Sequence, residues 1–399
     1  MLRLAIRTGL FLFGLFGLIV AAKPQSLRVE WSELMDHPGI RATVECVAAT
    51  PQGGVRILFS PQRSAAAEES QQFSLLSVGP DGRATAPGLL PVVTAPSLIL
   101  RRGGCASLSN GDLFVVGSLR STGELAFFSV DERGRIAASG KLLGPSDGWS
   151  PDKVIRTSRD RLLAVGSRAS SDARFALVFD SEGNIEWKLD ASAARGVTFQ
   201  DVLEMPNGDF VLCGFENSDP QAIAESSNSI FGLLPKNLWV GRVSKEGKLL
   251  AERRPEGLEC RLMLRGATPI LIFDRGQIGT GELVQAELSE SLEIVEEHVM
   301  LESFARAFSL PVATFADSSV LALEARGEQA PVLYLFGPKV GRKLDELAEE
   351  RLQAALPLLI ASGESVFDVA TDFQFADETE ARSIVAKTRV TKIVVEVDP

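Results

Sequence analysis

The chain has 399 residues, 45% of them apolar, and carries a net charge of −11 from 41 basic and 52 acidic side chains. This dispersed, acidic balance excludes nucleic acid and anionic membrane surfaces as charge-driven partners, because such binding needs clustered Lys and Arg. His37 and His298 are the only histidines, too few for a multi-histidine metal centre, and no cofactor motif accompanies them.

In chain order, Arg3 and Arg7 precede an apolar run from Gly9 to Val20, followed by Ala21, Ala22 and Lys23. This is the layout of a secretory signal peptide cut after Ala22, so residues 1–22 are expected to be removed. The run is shorter than the roughly 20 apolar residues that span a bilayer, and no membrane insertion is expected of the mature chain. Its expected location is periplasmic or extracellular.

The next segment, LRVEWSEL from Leu27 to Leu34, alternates like a strand, and His37 in MDHPG reads as a surface turn. A unit of four short strands then repeats. Its clearest copy comprises VTFQDVLEM, the turn Pro206-Asn207-Gly208, DFVLCGF, LWVGRVS, the turn Lys245-Glu246-Gly247, and KLLAERR. The phrases GDLFVVGS at Gly111, RLLAVGS at Arg161 and GDFVLCGF at Gly208 recur about every 50 residues, the length of a propeller blade. A second phrase follows each: FSVDERGRI, LVFDSEGNIEW and GRVSKEGKLLAE, with LLSVGPDGRAT as an earlier copy. Asp81, Asp131 and Asp180, placed before turn glycines, read as caps of backbone N–H groups.

Past residue 257 the signature decays while the strand–turn–strand rhythm persists. Seven units are expected, at about 41–86, 98–143, 148–191, 196–255, 257–301, 304–347 and 350–397. The expected fold is all-β, a single seven-bladed β-propeller domain (23–399) of four-stranded antiparallel blades. Open strand edges must be covered, so the N-terminal strand is expected to join TKIVVEV of the last blade and close the ring. An open β solenoid is the alternative, but its units are shorter. KLDELAEERLQAAL, from Lys343 to Leu356, has helix-like leucine spacing and reads equally as a helix or as the outer strand of the sixth unit.

On these phrases, GDFVLCGF followed by LWVGRVSKEGKLLAE above all, the chain resembles secreted bacterial propeller repeats and is similar to quinoprotein-like and WD-like propellers. The regular tryptophan signature of quinoprotein blades is missing, since the four tryptophans are Trp31, Trp149, Trp187 and Trp239. The resemblance therefore implies a blade architecture and assigns no catalytic residue.

Cys46, Cys105, Cys213 and Cys260 all sit in apolar, strand-like runs. The reading favoured by those runs is four buried free thiols, although an oxidising compartment would allow disulfides in any of three pairings. HExxH and phosphate-loop motifs are absent, and no metal ligand set is visible. Two connections inside the repeats are expanded, PQRSAAAEESQQ from Pro61 to Gln72 and NSDPQAIAESSNSIFGLLPKN from Asn217 to Asn237. The second embeds Ile230, Phe231, Leu233 and Leu234, which are candidate contacts for a partner or else packing for a neighbouring blade. The expected function is an exported, noncatalytic scaffold that binds a protein or glycan. The alternative is a carbohydrate- or peptide-active hydrolase or lyase with carboxylates gathered at a central channel.

Overall fold

The computed structural model describes residues 25–37, 42–61, 71–84, 90–94, 98–100, 104–145, 149–168, 174–189, 197–216, 237–257, 259–275, 281–304, 310–314, 320–324, 332–336, 358–362, 365–375 and 384–397. All regular structure among these residues is β. Strand β1 (Gln25–His37) belongs to the sheet formed last in the chain. The first repeat contributes β2 (Ala42–Ala49), β3 (Val55–Pro61), β4 (Gln71–Val78) and β5 (Leu90–Thr94), each paired antiparallel with the next. In the second repeat, β6 (Leu98–Ile99) and β7 (Cys105–Ser107) both pair with β8 (Leu113–Leu119), which continues to β9 (Leu125–Val130) and β10 (Ile136–Leu143).

The third, fourth and fifth repeats are regular four-stranded meanders. They comprise β11 (Trp149–Arg156), β12 (Leu162–Arg168), β13 (Arg174–Phe179) and β14 (Ile185–Lys188); β15 (Val197–Glu204), β16 (Phe210–Glu216), β17 (Leu238–Val243) and β18 (Leu249–Arg253); and β19 (Cys260–Arg265), β20 (Thr268–Arg275), β21 (Gly281–Leu288) and β22 (Ile294–Phe304). Three strands of a sixth sheet are described, β23 (Leu310–Thr314), β24 (Val320–Glu324) and β25 (Val332–Phe336). The last sheet holds β26 (Leu358–Ser362), β27 (Ser365–Phe375) and β28 (Ile384–Val397), and its outermost strand is β1. Residues Gln25 to His37 run antiparallel to Val397 to Ala386. His37, expected in a surface turn, is thus the end of a paired strand, because the alternation starting at Leu27 continues through MDH. The segment Lys343 to Leu356 lies outside the described residues.

Packing explains why the repeat reads as it does. The middle strands β8, β9 and β13 are buried along their whole length, whereas the outer strands β10 and β14 are largely exposed. Strands covered on both faces lose the polar alternation and become apolar runs, as in LFVVGSL and LAFFSV. Aromatic rings bridge sheet to sheet. Phe73 stacks on Phe128 at 5.9 Å, Phe114 meets Phe179 at 5.7 Å and Trp187 meets Phe210 at 5.7 Å. Each of the five fully buried phenylalanines among them contributes about 1.5–3 kcal/mol through area removed from water, so neighbouring sheets are held chiefly by apolar contact.

The recurring glycine of the first phrase has a steric cause. A Cβ on Gly166 would collide with the carbonyl oxygen of Ser150, and one on Gly214 with that of Thr198. In both sheets the first strand bulges just beyond this glycine, after Pro151 in β11 and after Phe199 in β15, which leans its carbonyl over the second strand. The first strands also meet in chain order: β2 packs on β7, β7 on β11, β11 on β15, β15 on β19, β19 on β23 and β23 on β26. Strand β26 in turn contacts β2, and Val390 of β28 shares a core with Val47, Ile57 and Phe59 of the first sheet.

Candidate binding face

The two ends of these sheets are built differently. At one end, nine five-residue turns share one hydrogen-bond pattern, in which the first residue's N–H donates to the fifth carbonyl and the fourth residue's N–H donates to the first carbonyl. They start at Thr50, Gly79, Leu108, Asp131, Thr157, Asp180, Met205, Ser244 and Ser289. The fourth residue has positive φ, as at Gly134 (76°) and Gly208 (85°), which explains the glycine of the repeated phrases. Asp160 (57°) and Leu292 (64°) occupy the same position without being glycine.

Side chains reinforce these turns. Asp131 Oδ1 accepts from the N–H groups of Arg133 and Arg135, both at 2.9 Å, and Asp180 Oδ1 accepts from Glu182 and Asn184 at 3.0 and 2.8 Å. Burial pushes both carboxyls up, yet these hydrogen bonds prevail and hold the pKa values below the ordinary aspartate value. Asp81 also caps, accepting from Arg83 N at 3.1 Å, but it stands in the third position of its turn whereas Asp131 and Asp180 stand in the first. Turns of neighbouring sheets are tied together as well. Ser109 Oγ donates to Asp160 Oδ2 at 2.6 Å, Ser158 Oγ donates to Glu204 Oε1 at 2.8 Å, and Arg242 joins Asp209 and the Glu290 carbonyl, each at 2.8 Å.

At the opposite end, strand succession in an antiparallel meander brings together the ends of β3, β12, β16, β20 and β27 and the starts of β4, β13, β17, β21 and β28; the residues between them, 62–70, 169–173, 217–236, 276–280 and 376–383, differ in number from sheet to sheet. Strands β27 and β28 run past β26 on this side, since Leu358 of β26 pairs with Val369 while the β27–β28 ladder continues to Phe375 and Ile384. Ile230, Phe231, Leu233 and Leu234 belong to the β16–β17 link and lie outside the described residues.

The first strands present polar groups between the sheets. Their bulges fall at Glu45, Asp152 and Gln200, all half-buried. The fourth and fifth sheets are clasped here: Gln200 Oε1 accepts from Cys260 N at 2.9 Å, and Asp201 Oδ2 accepts from Leu262 N at 3.0 Å. Lys153 Nζ stands 3.6 Å from the buried Asp201 carboxylate. These side chains satisfy the unpaired N–H groups of the innermost strand β19, a demand that sequence reading overlooked although the QD pair in VTFQDVLEM marks it. His298 lies on β22, the outer strand of its sheet, with Nε2 3.0 Å from Glu296 Oε1. Among the described residues no group of three or more His, Cys, Asp or Glu could hold a metal ion.

The expectation of free thiols is corrected. Cys46 is bonded to Cys105 and Cys213 to Cys260, with Cα atoms 6.1 and 6.3 Å apart. Each bond joins neighbouring sheets, β2 to β7 and β16 to β19. The apolar runs around the cysteines reflect burial in the seams between blades, and that burial accommodates a disulfide as readily as a thiol.

No protein-family model matches the chain, and no curated protein matches it. Among solved structures it is similar to a puromycin hydrolase S511A mutant complexed with PGG, at TM-score 0.53 and 17% identity, covering 86% of this chain and 53% of that one. It is also similar to an ulvan lyase of polysaccharide lyase family PL25, at TM-score 0.51 and 12% identity over 76% of this chain and 80% of the lyase. The β-propeller domain of the trilobed protease from Pyrococcus furiosus aligns at TM-score 0.48 and 10% identity, over 82% of this chain and 91% of that domain. The chain thus spans about half the length of the puromycin hydrolase. At such identities the likeness is one of fold, and four-stranded antiparallel sheets packed through their first strands define the chain as a β-propeller.

Proposed function

We propose that the chain is an exported, noncatalytic seven-bladed propeller that binds a protein or glycan through the face bearing its variable connections. One observation carries this reading: nine turns at one end are standardised, while the expanded links leave from the other end. A fold that needed only to be a ring would be equally regular on both sides, and binding segments concentrate in loops held on a rigid frame. Closure is supported by the contact of β26 with β2 and by β1 as fourth strand of the last sheet. Export is argued from the leader pattern and two disulfides, which persist in oxidising compartments.

Glu124, Asp131, Asp180, Glu252 and Glu293, which cap turns or pair with neighbouring side chains, are held below their ordinary pKa values and are unsuited to act as general acids. The hydrolase or lyase reading draws on Glu45 and Asp152 at the first-strand bulges, and on two fold neighbours that are named as enzymes.

Cross-linking mass spectrometry of the chain in its producing cells tests the proposal. Partner cross-links should map to 62–70 and 217–236 and avoid Lys245 and Lys248 of the turn face. Cross-links spread equally over both faces would reject it. Cleavage of a polysaccharide or peptide by the purified chain, lost in Glu45→Gln or Asp152→Asn, would put the enzymatic reading in its place.

A further inference from the structure

We infer that the two disulfides are made in chain order by a dithiol oxidase as the exported chain emerges, and that the native pairing needs no disulfide isomerase. This rests on the export reading above. Of the three pairings four cysteines allow, the one present joins each cysteine to the next along the chain, at separations of 59 and 47 residues. A chain delivered N-terminus first exposes Cys46 and Cys105 before Cys213 arrives, so the correct partner is the only one at hand.

Local structure suffices to bring each pair together. Cys46 lies on β2, which pairs with the directly following β3, and Cys105 lies on β7, which pairs with β8. Cys260 lies on β19, held against β15 by the side chains of Gln200 and Asp201 and paired with β20. Neither pair requires β28 or its union with β1. Burial then sets the timing: Cys46 is 1% exposed, and Cys213 and Cys260 are 0% exposed, so an enzyme reaches them only before the sheets pack.

Each bond forms by two exchanges. The thiolate of one cysteine attacks the oxidase disulfide and expels one oxidase sulfur as a thiolate. The second cysteine thiolate attacks the mixed disulfide, closes the native bond and releases the other oxidase sulfur. Two electrons pass from the cysteine pair to the oxidase, which leaves as a dithiol, and the two thiol protons pass to solvent or to the released oxidase thiolates.

The test refolds the reduced, denatured mature chain with a purified dithiol oxidase, quenches with an alkylating reagent at intervals, and maps disulfides by peptide mass spectrometry. Cys46–Cys105 and Cys213–Cys260 should form directly, with other pairings below about a tenth of the total and no gain from added isomerase. Accumulated mixed pairs, with a several-fold gain from isomerase, would overturn the inference. The Cys46→Ala/Cys105→Ala chain should form Cys213–Cys260 at the unaltered rate, and a rate dependent on the first pair would contradict local pairing. Chain folded in reductant before oxidase is added should oxidise Cys213 and Cys260 at least about tenfold more slowly, and equal rates would contradict the timing. In cells, retention of the leader with four free thiols would overturn export and the place of oxidation, while leaving the refolding result intact.

Discussion

Replacing Asp160 and Leu292 by glycine should move stability differently, although both occupy the same position of the same turn. Their φ values of 57° and 64° are the only positive ones among described residues other than glycine. Relief of the left-handed conformation contributes about 1–2 kcal/mol, and the freer unfolded glycine chain takes back about 0.5–1 kcal/mol. Asp160 is exposed and loses one hydrogen bond from Ser109, worth about 0.5 kcal/mol at the surface, so Asp160→Gly should fall between a loss of about 0.5 kcal/mol and a gain of about 1 kcal/mol. Leu292 is 2% exposed and packs with Met205, Val211, Leu271 and Leu288 between the fourth and fifth sheets. Truncating such a side chain costs about 2–5 kcal/mol, so Leu292→Gly should lose about 3 kcal/mol (range about 0.5–5) despite the same backbone relief. Denaturant unfolding followed by emission of the buried Trp239 measures both. A Leu292→Gly chain as stable as the original, or an Asp160→Gly chain that loses as much as its counterpart, would refute this partition between backbone and core.

Removing either disulfide as an alanine pair should lower stability by about 4 kcal/mol, because loops of 59 and 47 residues differ little in closure entropy; calorimetric unfolding that leaves either variant within 1 kcal/mol (about 1 °C) of the original would contradict the pairing. Gly214→Ala should be destabilising by at least about 2 kcal/mol, since its methyl meets the Thr198 carbonyl across the β15 bulge, and soluble yield with circular dichroism reads the outcome. Glu252 is held below the ordinary glutamate value first by the hydrogen bond from Trp239 and then by Arg254. Its contribution is complete above the unfolded value of about 4.3 and is lost as the pH falls through the lower folded value, so Trp239 emission should change in acid below pH 4.3 and stay level in Glu252→Gln.

The glycine-punctuated phrases were legible as blades because two demands of the fold act on single residues. A left-handed turn position admits Gly82, Gly134, Gly183 and Gly247 most easily, and the carbonyl over Gly166 or Gly214 admits no side chain. The apolar runs were legible as covered strands for the same local reason. The cysteine pairing was not, since each bond crosses a seam between sheets and the flanking residues report burial without naming the neighbour. Nor was the clasp of Gln200 and Asp201 on β19, which exists only because an innermost strand leaves N–H groups unpaired. Asp160 and Leu292 hid two turns by standing where the repeat places glycine. The apolar tip at Ile230 to Leu234 was singled out by length and composition alone, and its role falls to the cross-linking experiment.

A cysteine pair at Ser32 and Thr391 tests most directly whether the chain's two ends fasten a ring. These residues stand opposite each other in the ladder between β1 and β28. The Ser32→Cys/Thr391→Cys chain should form an intramolecular disulfide under mild oxidation, seen as a faster non-reducing gel band and a linked peptide. Ser32→Cys/Thr388→Cys, out of register, should stay reduced. Failure of the first pair to link, or equal linking of both, would contradict closure by the N-terminal strand.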